Sequence, residues 1–279
     1  MVDENVTHTG IAWQETVERE HAQSDRIREE SASEDFWKPV AHRFVPPKKG
    51  ESAPDDTVEK LAELILPSES VLDVGAGGGR LSVPLAEYAS HVTAVEPSEA
   101  MRDQLTATAD AWGVSNVSVI PSTWEEADVD SHDLVVCAHV VYTVTAIEAF
   151  VRKLNNHARK KVALISFKRP ATATYLPLWS YVHGEERIAL PTLPQIESLL
   201  GELKIEFEET PLKEWAPRPF KSREQAQSEC EARLFVAPGS DKSKMLSEVL
   251  DSSLIEVEGG LRLEWAESHR PLIISWDVR

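Results

Sequence analysis

The run Val71-Leu72-Asp73-Val74-Gly75-Ala76-Gly77-Gly78-Gly79-Arg80 constrains this chain more than any other segment. Val71 to Val74 is a short aliphatic stretch of the kind that forms a buried strand. It enters a glycine-rich turn, and Leu81 to Tyr88 then reads as a helix. Glycines at such a turn adopt positive φ without penalty and let the backbone approach a ligand closely. The following helix presents unpaired N–H groups at its start. A strand, a glycine turn and a helix in this order make a nucleotide-type site at the carboxyl end of the first strand of an α/β sheet.

The dinucleotide fingerprint would require G-x-G-x-x-G. Gly75 and Gly77 fit it, but Arg80 stands at the third glycine, where helix and strand pack closely around a pyrophosphate, and this counts against NAD or FAD. The run D-V-G-A-G-G-G-R instead resembles the first motif of the class I S-adenosylmethionine (SAM)-dependent methyltransferases. That resemblance implies a three-layer, Rossmann-like α/β fold. Its sheet has seven mostly parallel strands, with the last one antiparallel between the fifth and sixth. It also implies SAM as cofactor, with Asp73, Gly75, Ala76, Gly77 and Gly79 around its methionine and ribose part.

Later segments extend the resemblance over roughly residues 56–168. His91 to Val95 reads as a second strand ending in Glu96-Pro97, and Glu96 follows Gly75 by 21 residues. An acid at that spacing accepts hydrogen bonds from both ribose hydroxyls. Ser98-Glu99-Ala100-Met101 opens a helix, where Met101 either packs on adenine or fills the core. After a third strand, Asn116 to Ile120, the family often has an acid near adenine. Thr123 stands there instead, and the neighbouring Trp124 walls the adenine pocket or covers the sheet edge. Asp133 to His139 resembles the fourth motif, so Ala138 is expected beside the cofactor, and His139 and Tyr142 towards the reaction centre. The Asn/Asp-Pro-Pro-aromatic signature of amino methyltransferases is missing, since Cys137-Ala138-His139-Val140 occupies its place. Strands five to seven are expected at Lys161–Phe167, Ile205–Glu209 and Leu272–Trp276.

Around this core the chain is expected to carry an N-terminal helical extension over residues 1–55 and insertions near 170–191 and 212–270. Residues 1–10 read as disordered. Ile11 to Glu30 reads as a helix with a thin apolar stripe (Trp13, Val17, Ile27) that packs loosely or caps something. A short second helix begins at Phe36. Trp13, Phe36, Trp37 and Phe44 would line a lid or simply pack on the rim of the sheet. Residues 57–66 form the helix before the first strand. Within 170–191, Trp179 to Glu185 is the expected substrate wall. His183 serves there as a general base, its free pKa being near neutral, or belongs to an ordinary surface His–Glu pair. Helices are expected at 224–235 and 242–250, and a hairpin turning at Gly259-Gly260.

Composition narrows the partners. With 29 Lys and Arg against 47 Asp and Glu, the net charge of −18 repels a phosphate backbone, which argues against nucleic-acid substrates. Arg159-Lys160-Lys161 reads as a solvated helix end before the fifth strand. Cys137 and Cys230 suggest neither a disulfide nor a metal site, and a reducing cytoplasm fits. No stretch is apolar enough for a membrane span, and a homodimer is left open. These expectations add up to methyl transfer from SAM to a small molecule; a non-catalytic SAM-binding or regulatory module is the alternative. No metal is expected.

Overall fold

The computed structural model describes residues 6–29, 41–51, 55–169 and 171–278. Alternating elements build the central layer: α2 (Asp56–Ala62), β1 (Ser70–Val74), α3 (Ser82–Leu85), β2 (His91–Val95), α4 (Glu99–Trp112), β3 (Val117–Ile120), β4 (His132–Ala138), α5 (Ile147–His157) and β5 (Ala158–Phe167). The helix α1 (His8–Ile27) precedes them. After them come α6 (Leu176–His183), α7 (Leu193–Glu202), β6 (Glu208–Pro211), α8 (Arg223–Leu234), α9 (Asp241–Ser253), β7 (Leu254–Val257), β8 (Gly260–Leu263) and β9 (Pro271–Asp277). The seven-stranded sheet runs β3-β2-β1-β4-β5-β9-β6, and β9 is antiparallel to both its neighbours. The last strand lies antiparallel between the fifth and sixth, as the resemblance implies, and the order puts the carboxyl ends of β1, β2, β4 and β5 along one edge. The reversal of strand order beside β1 makes that edge the crevice where open α/β sheets bind ligands.

Side chains alternate across each strand, so the sheet has two buried faces. On one face Leu72, Val74, Val135, Cys137 and Leu164 pack with Trp13, Ile147 and Phe150, and with Ile196 and Leu199 of α7. On the other face Val71, Leu134, Val136, Ala163 and Ile165 meet Val58, Leu61 and Leu85 from α2 and α3. A third cluster, built on Trp179, Cys230, Leu246 and Leu250, fills the C-terminal insertion and takes in Ile27 from α1. Both cysteines are free and buried, in different clusters.

Several boundaries differ from the sequence expectation. The helix α1 starts within the stretch expected to be disordered, because the Thr7 hydroxyl caps it by accepting the Gly10 N–H at 3.0 Å. Nor does it pack loosely. Trp13 and Val17 are fully buried, and the Trp13 indole donates to the Val144 carbonyl at 2.8 Å. The helix after the glycine turn shortens to one turn, since Glu87 and Tyr88 bond three residues back to Pro84 and Leu85. Arg159, Lys160 and Lys161 are not a helix end but the start of β5, where they pair with Asp133, Glu69 and Asp277. The sixth strand begins at Glu208 rather than Ile205. Lys204 turns left-handed at φ +58°, Ile205 N–H closes on the Leu200 carbonyl, and Ile205 and Phe207 are spent on the core. The hairpin forms as β7 and β8. Among the described residues no helix is long and apolar enough to cross a membrane.

Candidate active site

The glycine turn is held from β2. Gly75 and Ala76 N–H both reach the Val95 carbonyl, at 2.8 and 3.2 Å. Buried Glu96 accepts the Gly77 N–H at 2.8 Å through one carboxylate oxygen and the Ser98 N–H at 2.9 Å through the other. One acid thereby ties the turn to the start of α4, whose first turn Ser98 caps by accepting from Met101 N–H. The three glycines at 75, 77 and 79 all have positive φ, for different reasons. A Cβ on Gly75 would collide with Val140, and one on Gly79 would press on Val83 and Leu105. At Gly77 the nearest atoms to such a Cβ are Phe44 Cβ at 3.8 Å and Met101 Sδ at 3.9 Å, ordinary contacts, so this position is uncrowded where its neighbours are not. Phe44 therefore reaches the turn. Phe36 and Trp37 lie outside the described residues.

Asp73 lies beneath the turn and is nearly inaccessible. Burial pushes its pKa up to about 6, while the Ser82 hydroxyl, donating at 2.5 Å, and the Arg80 guanidinium oppose the rise. Ala76 packs with Ala94 and Leu105. Pro97 is exposed, and its carbonyl accepts from Arg102. Thr123 is half-buried. Trp124 is buried on the α5 side, its ring edge-on to Phe150 and beside His157. The Trp124 indole thus fills the core under α5.

At the end of β4, Ala138 leads into His139, whose φ of +59° turns the backbone sharply. The structure brings His139 and Tyr142 together: His139 Nδ1 lies 3.2 Å from the Tyr142 hydroxyl. That hydroxyl also accepts from Ser166 Oγ and Phe167 N–H, each at 3.1 Å. Burial, helped by Arg80, pushes the His139 pKa down to about 3, so the ring is neutral at physiological pH. Burial raises the Tyr142 pKa. His183 is set apart. It belongs with Trp179 in the C-terminal cluster, where its Nε2 meets the Leu234 carbonyl at 2.8 Å. Trp179 is fully buried there, and Glu185 pairs with Arg26 rather than with His183.

Sequence reasoning missed the rest of the His139 surroundings. The ring stacks on Phe167 at 4.6 Å and lies 5.2 Å from Trp215. Trp215 and His269 form an isolated antiparallel bridge, and His269 stands 5.9 Å from Phe167. Arg80 pairs with Asp55 and sits over the Trp215 ring at 5.3 Å. These groups come from segments far apart in the chain, and no local pattern announces their meeting. Among the described residues no cluster of His, Cys, Asp and Glu is arranged to hold a metal.

Comparison with known proteins agrees with this architecture. Residues 71–161 match the methyltransferase domain family. The ubiquinone biosynthesis O-methyltransferase of Rickettsia conorii is 28% identical over 182 residues, covering 61% of this chain and 61% of that protein. Its Rickettsia akari counterpart is 25% identical over 190 residues, covering 63% of this chain and 74% of the relative. The chain thus spans 61% of the length of the first of these relatives. The crystal structure of the YcgJ protein from Bacillus subtilis shares the fold, with a TM-score of 0.54 at 15% identity, covering 80% of this chain and 98% of that one. The strand order is that of the class I, Rossmann-like fold that the glycine turn resembles, and residues 71–161 carry the match to the methyltransferase domain family.

Proposed function

We propose that this protein binds SAM and transfers its methyl group to a small-molecule acceptor. The observation that carries the reading is the turn at Gly75–Gly79, uncrowded at Gly77 and anchored by the buried Glu96 carboxylate. The residues fit the cofactor: Gly77 leaves room for close approach, and a buried carboxylate is a strong acceptor for ribose hydroxyls. Glu96 would hold the ribose, Met101 would border the adenine, and Gly75, Ala76 and Gly77 would face the methionine part, with Asp73 beneath them. Bound SAM supplies an activated methyl group; the protein supplies orientation and exclusion of water. Phe44 and its neighbours would cover the cofactor as a lid.

The names of the Rickettsia relatives support an oxygen nucleophile on a small molecule. The net charge of −18 supports an acceptor other than nucleic acid, and two free cysteines support a reducing, cytoplasmic setting. The test is thermal unfolding with SAM, S-adenosylhomocysteine or NAD at saturating concentration. Stabilisation by the first two and not by NAD is expected. Stabilisation by NAD alone would overturn the reading.

A further inference from the structure

The environment of His139 defines what the acceptor is. The Tyr142 hydroxyl receives hydrogen bonds from Ser166 Oγ and Phe167 N–H, which fill its two acceptor positions. Its own proton is then directed at His139 Nδ1. In the neutral ring this network puts the remaining proton on Nε2. That nitrogen is buried and has no hydrogen-bond partner among the described residues. A second ring nitrogen of the same aromatic group, His269 Nε2, is also buried without a partner among them. Buried polar atoms are normally paired, and those left unpaired need an explanation such as a missing ligand.

The cover over His139 is light. Trp215 is 36% exposed and joins the fold locally through two backbone hydrogen bonds with His269, at 2.7 and 3.0 Å. The segment around it is basic in an acidic protein: Lys213, Arg218 and Lys221 accompany one acid, Glu214, and Arg270 follows His269. These four cations are exposed, and none has an ion-pair partner among the described residues. Such a cluster raises the local concentration of anions.

We propose that His139 Nε2–H, Phe167, Trp215 and His269 form the acceptor site, and that it takes a planar aromatic ring whose oxygen arrives already ionised. This assignment rests on the methyltransferase reading above and makes His139 a hydrogen-bond donor to the oxygen, not a base. Trp215 is the aromatic platform, and its segment lifts to admit the ring. The titratable and charged groups around His139 are Tyr142, Arg80, Asp55 and, across the Phe167 ring, His269; the Arg80–Asp55 pair leaves no unpaired carboxylate among them to take a proton.

The test is calorimetry of the full chain saturated with S-adenosylhomocysteine, using 4-nitrophenolate as probe and nitrobenzene as its uncharged counterpart. Two buffers of different ionisation enthalpy report proton uptake. The expected result is saturable binding of the phenolate, at least about tenfold tighter than nitrobenzene, since a hydrogen bond to a charged group is lost in the latter. No proton should be taken up. Trp215→Ala should weaken the probe by about tenfold or more without changing S-adenosylhomocysteine binding, and His139→Leu should erase the preference for the anion. His139→Asn, which keeps a donor and tolerates positive φ, should retain part of it. Uptake of one proton on binding, equal affinity for the two probes, or no probe binding while S-adenosylhomocysteine still binds would each overturn the assignment. If S-adenosylhomocysteine itself fails to bind, the methyltransferase reading falls and this site falls with it.

Discussion

The two halves of the crevice are built differently. The proposed cofactor side is local and satisfied: residues 73–101 supply the turn, the acid and the helix cap, and Glu96 closes two of the hydrogen bonds. The proposed acceptor side is assembled from Asp55, Arg80, His139, Tyr142, Phe167, Trp215 and His269, and it retains two buried nitrogens without partners among the described residues. The first region pairs its polar groups within the fold, whereas the second leaves two ring nitrogens for a ligand to pair.

Substitutions can sharpen this contrast. The largest effect is expected outside both sites, where Arg187 pairs with Glu20 at 2.9 Å and joins α1 to the C-terminal insertion, both side chains being nearly inaccessible. Arg187→Met strands a buried carboxylate and should cost about 3–5 kcal/mol in urea unfolding. A loss below about 1 kcal/mol would mean that the two parts are not coupled there.

Gly75→Ala should cost about 2–5 kcal/mol, because the new methyl meets Val140 at a positive φ. Gly77→Ala should cost only the conformational part, about 1–2 kcal/mol, because the added methyl meets only ordinary van der Waals contacts. The Gly77→Val variant should lose SAM binding by calorimetry. Normal SAM binding by Gly77→Val would break the argument that the turn faces the cofactor.

Asp73 tests the electrostatics under the turn. Its folded pKa of about 6 lies above the ordinary 3.8, so the native state holds the proton more tightly than the unfolded chain. The charged carboxylate therefore costs stability, and the cost grows as pH rises from about 4 to about 6 and is fully present at neutrality. Asp73→Asn should be more stable than wild type at pH 7, by up to about 3 kcal/mol, and the difference should vanish near pH 4. A difference independent of pH would show that Asp73 is solvated.

The legible part of the fold follows from this same division. The first strands, the glycine turn and Glu96 could be read because they lie in short runs where hydrophobic pattern, turn chemistry and spacing act together, while the place of the last strand followed from the family resemblance alone. Trp215 and His269 could not be read, since they are 76 and 130 residues beyond His139 and meet through an isolated bridge. His183 and Trp179 were drawn towards the site by composition, whereas the structure spends them on the C-terminal cluster, because an aromatic residue in an apolar helix is as useful to a core as to a pocket. The error at Arg159–Lys161 has the same origin: a basic run reads as solvated, and only the register with β4 reveals the carboxylates of Asp133 and Glu69 beside it.

The central claim is that Glu96 and the glycine turn hold SAM, and the most direct measurement is calorimetric titration of S-adenosylhomocysteine into wild type and Glu96→Ala. Binding to wild type should be micromolar, and weakened by roughly 2 kcal/mol, about thirtyfold, in the variant. Equal affinity in the two proteins would contradict the placement of the cofactor.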